Sequence, residues 1–467
     1  MMDIKLSEIA QIVNATLQGD DAVISSVSID TRTLSKGDLY IAITGPNFDG
    51  NDFITLAEQV GAAAAIVSKD SQARIPLLKV ADCRIALGQL ASAWRHKAMV
   101  PVVGMTGSNG KTTVKEMVAA ILAVKGQVLF TKGNLNNDIG VPLTLLRLTD
   151  QDDFAVIEMG ANHPGEIAYT SALVQADVVI ITNVGPAHIE GFGSVAGVAK
   201  AKGEIVSSLR DSGVAVLNRD DCYFDYWTSL ANGKAVYSFG FDANADITAQ
   251  NITHELKPLL DGQISSAECE HVEFATCFEL LTRHGAIAIS LKLAGRHNVL
   301  NALAAAAAAM ALGLGLEQIK QGLESVKPVT GRLQPLLGVH GNLIIDDTYN
   351  ANSASLSAAL DVLAACPGEH VLVLGAFGEL GDESQKIHQQ IGKQIKDSGV
   401  SKLLAVGAQA RHSVEAYGMG GEYFESQDEL ISALEKQLNN KQTILLKGSR
   451  SQRMENVAAT LVKNFRM

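Results

Sequence analysis

Hydrophobic positions along the chain fall into three textures. From residue 1 to about 84, short apolar runs such as 39–43 and 63–67 alternate with turns rich in Gly, Asp and Asn, which predicts short strands in a small unit. Between about 85 and 327, apolar stretches at 101–105, 154–157 and 177–181 read as buried strands, and helical periodicity follows the first two. Strands of this kind alternating with helices predict a parallel sheet covered on both faces. After Lys327 and Pro328 the pattern restarts, with strands expected at 343–345, 371–374, 402–406 and 443–446 and a helix over 384–397. Pro328 and Gly331 mark either a hinge or an ordinary turn. Residues 241–290 read as mixed β and loop without a definite placement. The expectation is an α/β chain of three domains, 1–84, 85–327 and 328–467.

The strand predicted at 101–105 runs into Thr106-Gly107-Ser108-Asn109-Gly110-Lys111-Thr112-Thr113 and then a helix start. Glycines there let successive backbone N–H groups turn toward phosphate oxygens. Lys111 would supply a point charge for the terminal phosphates, and the Thr112 hydroxyl could sit on Mg²⁺. The spacing is T-G-x-x-G-K-T, with Met105 where the strict phosphate-loop pattern has its first glycine. Glu158 closes the next predicted strand, and His188 ends the loop after the one following, so both fall at the same carboxyl edge of the sheet as metal candidates. Lys202, between Ala201 and Gly203, reads by composition as a surface lysine.

Composition narrows the partners. A formal charge of -12 argues against sequence-independent nucleic-acid binding, which needs concentrated Lys and Arg. The five scattered cysteines show no C-x-x-C pair and suit reduced thiols in a cytoplasmic protein. No apolar segment suggests a signal peptide near the start, and the longest apolar run, 302–316, is too short to span a bilayer and predicts one buried helix.

In order along the chain, the phosphate loop, Gly133-Asn134-Leu135-Asn136-Asn137-Asp138-Ile139-Gly140, Glu158-Met159-Gly160-Ala161-Asn162-His163, Ala187-His188-Ile189-Glu190-Gly191, Gly295-Arg296-His297-Asn298, Gly331-Arg332-Leu333, Asp346-Asp347-Thr348-Tyr349-Asn350-Ala351-Asn352 and Lys447-Gly448-Ser449-Arg450 resemble the Mur ligases. These are ATP-dependent amide-forming enzymes of bacterial peptidoglycan precursor synthesis, and the resemblance is greatest to the branch that adds D-alanyl-D-alanine to a UDP-N-acetylmuramoyl tripeptide. It covers essentially the whole chain. It implies a central P-loop ATPase domain, a small α/β UDP-binding domain before it and a C-terminal Rossmann-like domain after it. It implies ATP held by Gly107, Ser108, Asn109, Gly110, Lys111, Thr112, Thr113, Asn137, Asn298, Arg332 and Asp347. Two Mg²⁺ ions are implied, one on Thr112 and Glu158, the other on His188 and a carbamylated Lys202, with Lys111, Lys202 and His188 as the catalytic set. Asp30, Thr31, Arg32, Gly45 and Asn47 would bind the UDP-sugar end, and Asn352, Lys447, Ser449 and Arg450 would complete the substrate contacts. A cytoplasmic monomer acting on these small molecules, without nucleic acid or membrane insertion, is expected.

Two positions depart from the family pattern. Ala376 replaces an acidic residue in Gly375-Ala376-Phe377-Gly378-Glu379-Leu380-Gly381, so that residue's role is not carried over. Gly50-Asn51 stands where related ligases have Gly-His, which alters one uridine-side contact. The ligase that adds diaminopimelate carries an Asp-Asn-Pro-Arg box, absent here. Folylpolyglutamate-type ligases lack a uridine-binding first domain comparable to the one that residues 28–53 resemble. A scaffold that has lost catalysis would not need Lys111, Glu158, His188 and Lys202 together.

Overall fold

Parallel strands that are apolar on both faces must be covered by helices from both sides, and the middle of the chain is built in this way. The structure, a computed structural model, describes residues 2–186, 189–259 and 271–462. Six parallel strands run in the order Ala235–Phe239, Val214–Asn218, Val178–Ile181, Val102–Thr106, Phe154–Glu158 and Val128–Phe130. Side chains alternate between two cores, as the pleat requires. Val103, Met105, Val156 and Ile180 face helix Lys111–Ala123 and helix Arg296–Ala311. Val102, Ala155, Ile157, Val179 and Ile181 face helices Glu166–Val174 and Val195–Ser207.

The buried helix expected over 302–316 is corrected in its bounds. It runs Arg296–Ala311, and a second helix, Leu316–Ser325, starts after a turn in which Gly313 takes φ +82. Residues 302–309, alanines apart from Leu303, are all completely buried, so the run marks close packing and not helix length. The stretch at 241–290 resolves into an antiparallel extension of the same sheet, Ile247–Leu259, His271–Thr282 and Gly285–Leu291. Only one face of it is covered there: Phe278 and Leu280 are buried while Glu279 is not, which weakens the apolar signal.

A five-stranded sheet precedes this unit, in the order Thr16–Gln18, Leu77–Lys79, Ala64–Val67, Asp38–Ile41 and Ser26–Ser28, parallel except at the first pairing. Helix Cys83–Ala98 links the two. Its Asp82 cap accepts from the Arg84 and Ile85 amides, Cys83 donates back to Ile66 O, and farther along Trp94 donates to Leu148 O and Arg95 to Val174 O. The last sheet runs Gln334–Leu337, Leu343–Asp347, Gln442–Lys447, Glu369–Gly375, Lys402–Val406 and Gly421–Phe424, with only the first strand antiparallel. Helix Ser384–Asp397 has the bounds expected from its pattern. Among the described residues no helix is long and apolar enough to cross a membrane.

Helices Leu316–Ser325 and Lys111–Ala123 meet at Gly322, where a Cβ would lie 2.3 Å from Ile121 Cα. The obstacle is backbone and cannot rotate away. Gly322→Ala should therefore cost about 1–3 kcal/mol in urea unfolding, despite the better helix propensity of alanine.

Candidate active site

Strands Val102–Thr106, Phe154–Glu158 and Val178–Ile181 are neighbours, and the chain reverses its direction of winding there, so three loops converge at one sheet edge. The first is the phosphate loop. Gly107 has φ +154 and a Cβ on it would fall 1.8 Å from Thr182 Oγ1. Gly110 has φ +81 and a Cβ there would fall 2.4 Å from Asn301 Oδ1. Both glycines are thus demanded by neighbours as well as by the turn. Gly110 caps helix Lys111–Ala123 with no side chain, leaving the first-turn amides open toward the cleft.

Glu158 is 2% exposed at its strand end. Its Oε2 accepts from Thr112 Oγ1 at 3.0 Å and its Oε1 from Asn136 Nδ2 at 2.8 Å, while its own amide donates to Thr131 Oγ1. Lys111 folds its ammonium onto Gly107 O at 2.7 Å. Lys202, read by composition as a surface residue, is corrected: it is 4% exposed and lines the cleft. Ala199, Ala201 and Gly203 around it let helix Val195–Ser207 bury this face. Burial, and then the nearby Lys111 charge, hold the Lys202 amine well below the ordinary lysine range. Burial also lowers Lys111, opposed by Glu158 and aided by Arg332.

The opposite wall comes from the last sheet. Arg332 donates from Nη2 to Thr112 Oγ1 at 3.1 Å and stacks 4.2 Å from the Tyr349 ring, on whose plane Arg450 also bears at 5.7 Å. Asn352 donates to Asn109 Oδ1 at 2.8 Å. Asp347 accepts from Leu333 N and from the buried Lys447 ammonium, which also reaches Asn350 O. Burial raises the Asp347 carboxyl, and Lys447 opposes that rise.

Between the walls lies a cavity of about 510 Å³, the size of a small-molecule site. It gathers Ser108, Asn109, Gly110, Lys111, Thr112, Asn137, Glu158, Lys202, Arg332, Asp347, Asn352, Lys447, Ser449 and Arg450 from the expected set. Gly107 and Thr113 belong to the loop without lining the cavity. Asn298 stands a layer back, donating to Ala294 O and accepting from Asn301, the residue that meets Gly110. Asp30, Thr31, Arg32, Gly45 and Asn47 lie in the first unit, away from this lining. There Arg32 grips Asp30 through Nε and Nη2, holding that carboxyl at about 2. His188 lies outside the described residues.

Four residues escaped the sequence reading. Asn136 orients Glu158, Asn183 contacts the phosphate loop, Asn301 packs on Gly110, and Tyr349 carries the arginine stack. Of these, Asn136 and Tyr349 had a local signal, the asparagine run at 134–137 and the motif at 346–352, though neither was given a role. The two departures are both accommodated. Ala376 is buried and offers its carbonyl to Ser449 Oγ at 2.8 Å, and Asn51 bonds Asp49 and Ser68.

The oxygens of Thr112 and Glu158 form a hard donor pair that fits Mg²⁺, and among the described residues no cluster of three or more His, Cys, Asp or Glu competes with it. Mg²⁺ characteristically takes one or two protein carboxylates and completes its shell with phosphates and water.

Comparison with known proteins agrees along the whole chain. The profile of the Mur ligase middle domain matches residues 105–309, that of the Mur ligase glutamate ligase domain 331–450, and that of the Mur ligase family catalytic domain 23–95. The UDP-N-acetylmuramoyl-tripeptide–D-alanyl-D-alanine ligase of Escherichia coli (strain K12) is 45% identical over 99% of both chains. The crystal structure of MurF from Acinetobacter baumannii superposes with a TM-score of 0.89 at 36% identity, covering 98% of this chain and 99% of that one. MurF from Thermotoga maritima, solved in complex with ADP, gives 0.81 at 26% identity, covering 93% and 96%.

His297, beside Lys447, is pushed down to about 4 by burial, with the Lys447 and His254 charges adding to it. An unfolded histidine takes its proton near 6.5, so the unfolded chain binds protons first as the pH falls. Stability should therefore drop between about pH 6.5 and 4, and His297→Gln should flatten that drop when urea melts at pH 7 and pH 5 are compared.

Proposed function

The chain belongs to the Mur ligase family, in the branch of the UDP-N-acetylmuramoyl-tripeptide–D-alanyl-D-alanine ligases, and on that basis we propose the following division of roles within its cleft. The enzyme uses ATP to join D-alanyl-D-alanine to UDP-N-acetylmuramoyl-tripeptide in peptidoglycan precursor synthesis, releasing ADP and phosphate. One observation carries the assignment: Lys111, Thr112, Glu158 and Lys202 meet on one wall, and Arg332 and Asn352 reach that wall from the other.

Residues 107–113 cradle the triphosphate, with Lys111 at the terminal phosphates. Asn137, Arg332 and Asp347 contact ATP, and Asn298 acts through Asn301. Thr112 and Glu158 would hold one Mg²⁺, and His188 with a carbamylated Lys202 would hold a second. Bound there, Mg²⁺ draws charge from the phosphates so that an anionic nucleophile can approach. The buried Lys202 amine supports the carbamate: a neutral amine adds CO₂ and releases one proton, and burial beside Lys111 favours the neutral form.

The terminal carboxylate of the UDP-tripeptide attacks the γ-phosphorus, the bond to ADP breaks, and an acyl phosphate forms. The amine of D-alanyl-D-alanine then attacks the acyl carbon, loses its proton, and phosphate departs from the tetrahedral intermediate. Lys111 and Arg332 face the charge that develops on the transferred group. The facing walls exclude water from the acyl phosphate. Residues 1–84 carry the UDP end on Asp30, Thr31, Arg32, Gly45 and Asn47, residues 85–327 carry ATP, and residues 328–467 bring Asn352, Ser449 and Arg450 to the acceptor. Lys447 acts by fixing Asp347. We read the enzyme as a cytoplasmic monomer acting on these small molecules.

ADP release in the presence of ATP and Mg²⁺ should require both UDP-N-acetylmuramoyl-tripeptide and D-alanyl-D-alanine; release that needs only one of them would contradict these roles. Lys202→Ala should lose about ten- to a hundredfold in turnover, as removal of a metal-site group does. Added short-chain carboxylates such as acetate should restore part of that loss, which no purely structural lysine would show.

A further inference from the structure

The phosphate loop does not shape itself. Its Ser108 amide donates to Asn183 O at 3.0 Å and its Asn109 amide to Asn183 Oδ1 at 3.0 Å. Asn109 O receives Thr182 Oγ1 at 2.6 Å and Asn183 Nδ2 at 3.2 Å, while Ser108 Oγ accepts from Gly185 N at 2.9 Å. The amides of Ser108 and Asn109 therefore already have their partner in Asn183. That leaves the first-turn amides of helix Lys111–Ala123 to meet the anion.

Residues 182–185 are fixed in turn from the next strand. Asp221 Oδ2 accepts from Val184 N at 2.7 Å, its Oδ1 accepts from Tyr223 N at 3.0 Å, and Asn218 Nδ2 donates to Thr182 O at 2.9 Å. Neither Asn183 nor Asp221 lines the cavity.

We propose that Asn183, seated by Asp221, is the positioning residue that sets the shape of the phosphate loop and so the affinity for the nucleotide. The inference rests on the ligase reading for its setting but is tested by nucleotide binding alone.

Titrating ATP with Mg²⁺ into the full chain, Asn183→Ala should weaken binding about tenfold or more, because the Asn109 amide loses its acceptor and the Asn109 carbonyl loses one of its two donors. Asp221→Ala should weaken it several-fold and Asp221→Asn less, since an amide oxygen can still accept from Val184. The double variant Asn183→Ala/Asp221→Ala should be no worse than about the weaker single, because both act through one segment. In steady state the KM for ATP should rise while the KM values for the two other substrates stay within about twofold.

ATP affinity within twofold of the parent in Asn183→Ala would overturn the proposal. So would an equal loss for all three substrates, or additive losses in the double variant. If the parent binds ATP but forms no ADP with the UDP-tripeptide and dipeptide, the ligase reading fails and this one stands.

Discussion

A carboxylate buried at the end of a parallel strand has two oxygens, and each of them needs a donor if the charge is to stay there. At Glu158 the donors are Thr112, from the helix after the phosphate loop, and Asn136, from the asparagine-rich loop. Its amide is tied to Thr131, whose carbonyl takes the buried Lys115 ammonium. Four segments of the middle unit are located by this one group. The last sheet enters the same network through Arg332, which shares the Thr112 hydroxyl. The Thr112 hydroxyl thus donates to a carboxylate and accepts from a guanidinium, so it ties the middle unit to the last sheet.

The cleft collects positive charge at short range within a chain whose overall balance is acidic. Lys111, Lys202, Arg332, Lys447 and Arg450 line it. Lys447 is answered by Asp347, and Arg450 is half engaged by Glu455 and by Tyr349. Burial, and then the nearby Lys111 charge, disfavour protonation of Lys202. Burial in such a cluster favours the uncharged form of a lysine, a shift that an arginine does not undergo.

Much of the fold was legible because strand burial and helix periodicity are local. The strands 402–406 and 178–181 and the helix at 384–397 were visible as unbroken or periodic apolar patterns. The antiparallel extension was not, because its strands are covered on one face only and their pairing is decided across the sheet. Within the site, Lys111, Thr112 and Glu158 followed from a loop and a strand end. Lys202 did not, since its burial depends on Ala199, Ala201 and Gly203 allowing a helix to approach closely. Asn183 and Asn301 were invisible for a related reason: each bonds or packs on a segment remote in sequence, and no spacing rule encodes that contact.

Asn109 occupies a position that the pattern T-G-x-x-G-K-T leaves open to any residue. In the folded chain it is held from two further directions, by Asn183 at a separation of 74 residues and by Asn352 at a separation of 243. A change at 109 that alters its amide would orphan a donor on Asn352, and a change at 352 would do the same in reverse. Positions 109 and 352 should therefore vary together among descendants of this chain, a pair inherited as one unit across most of its length, whereas Asn183 grips only the backbone of residue 109 and is indifferent to its side chain.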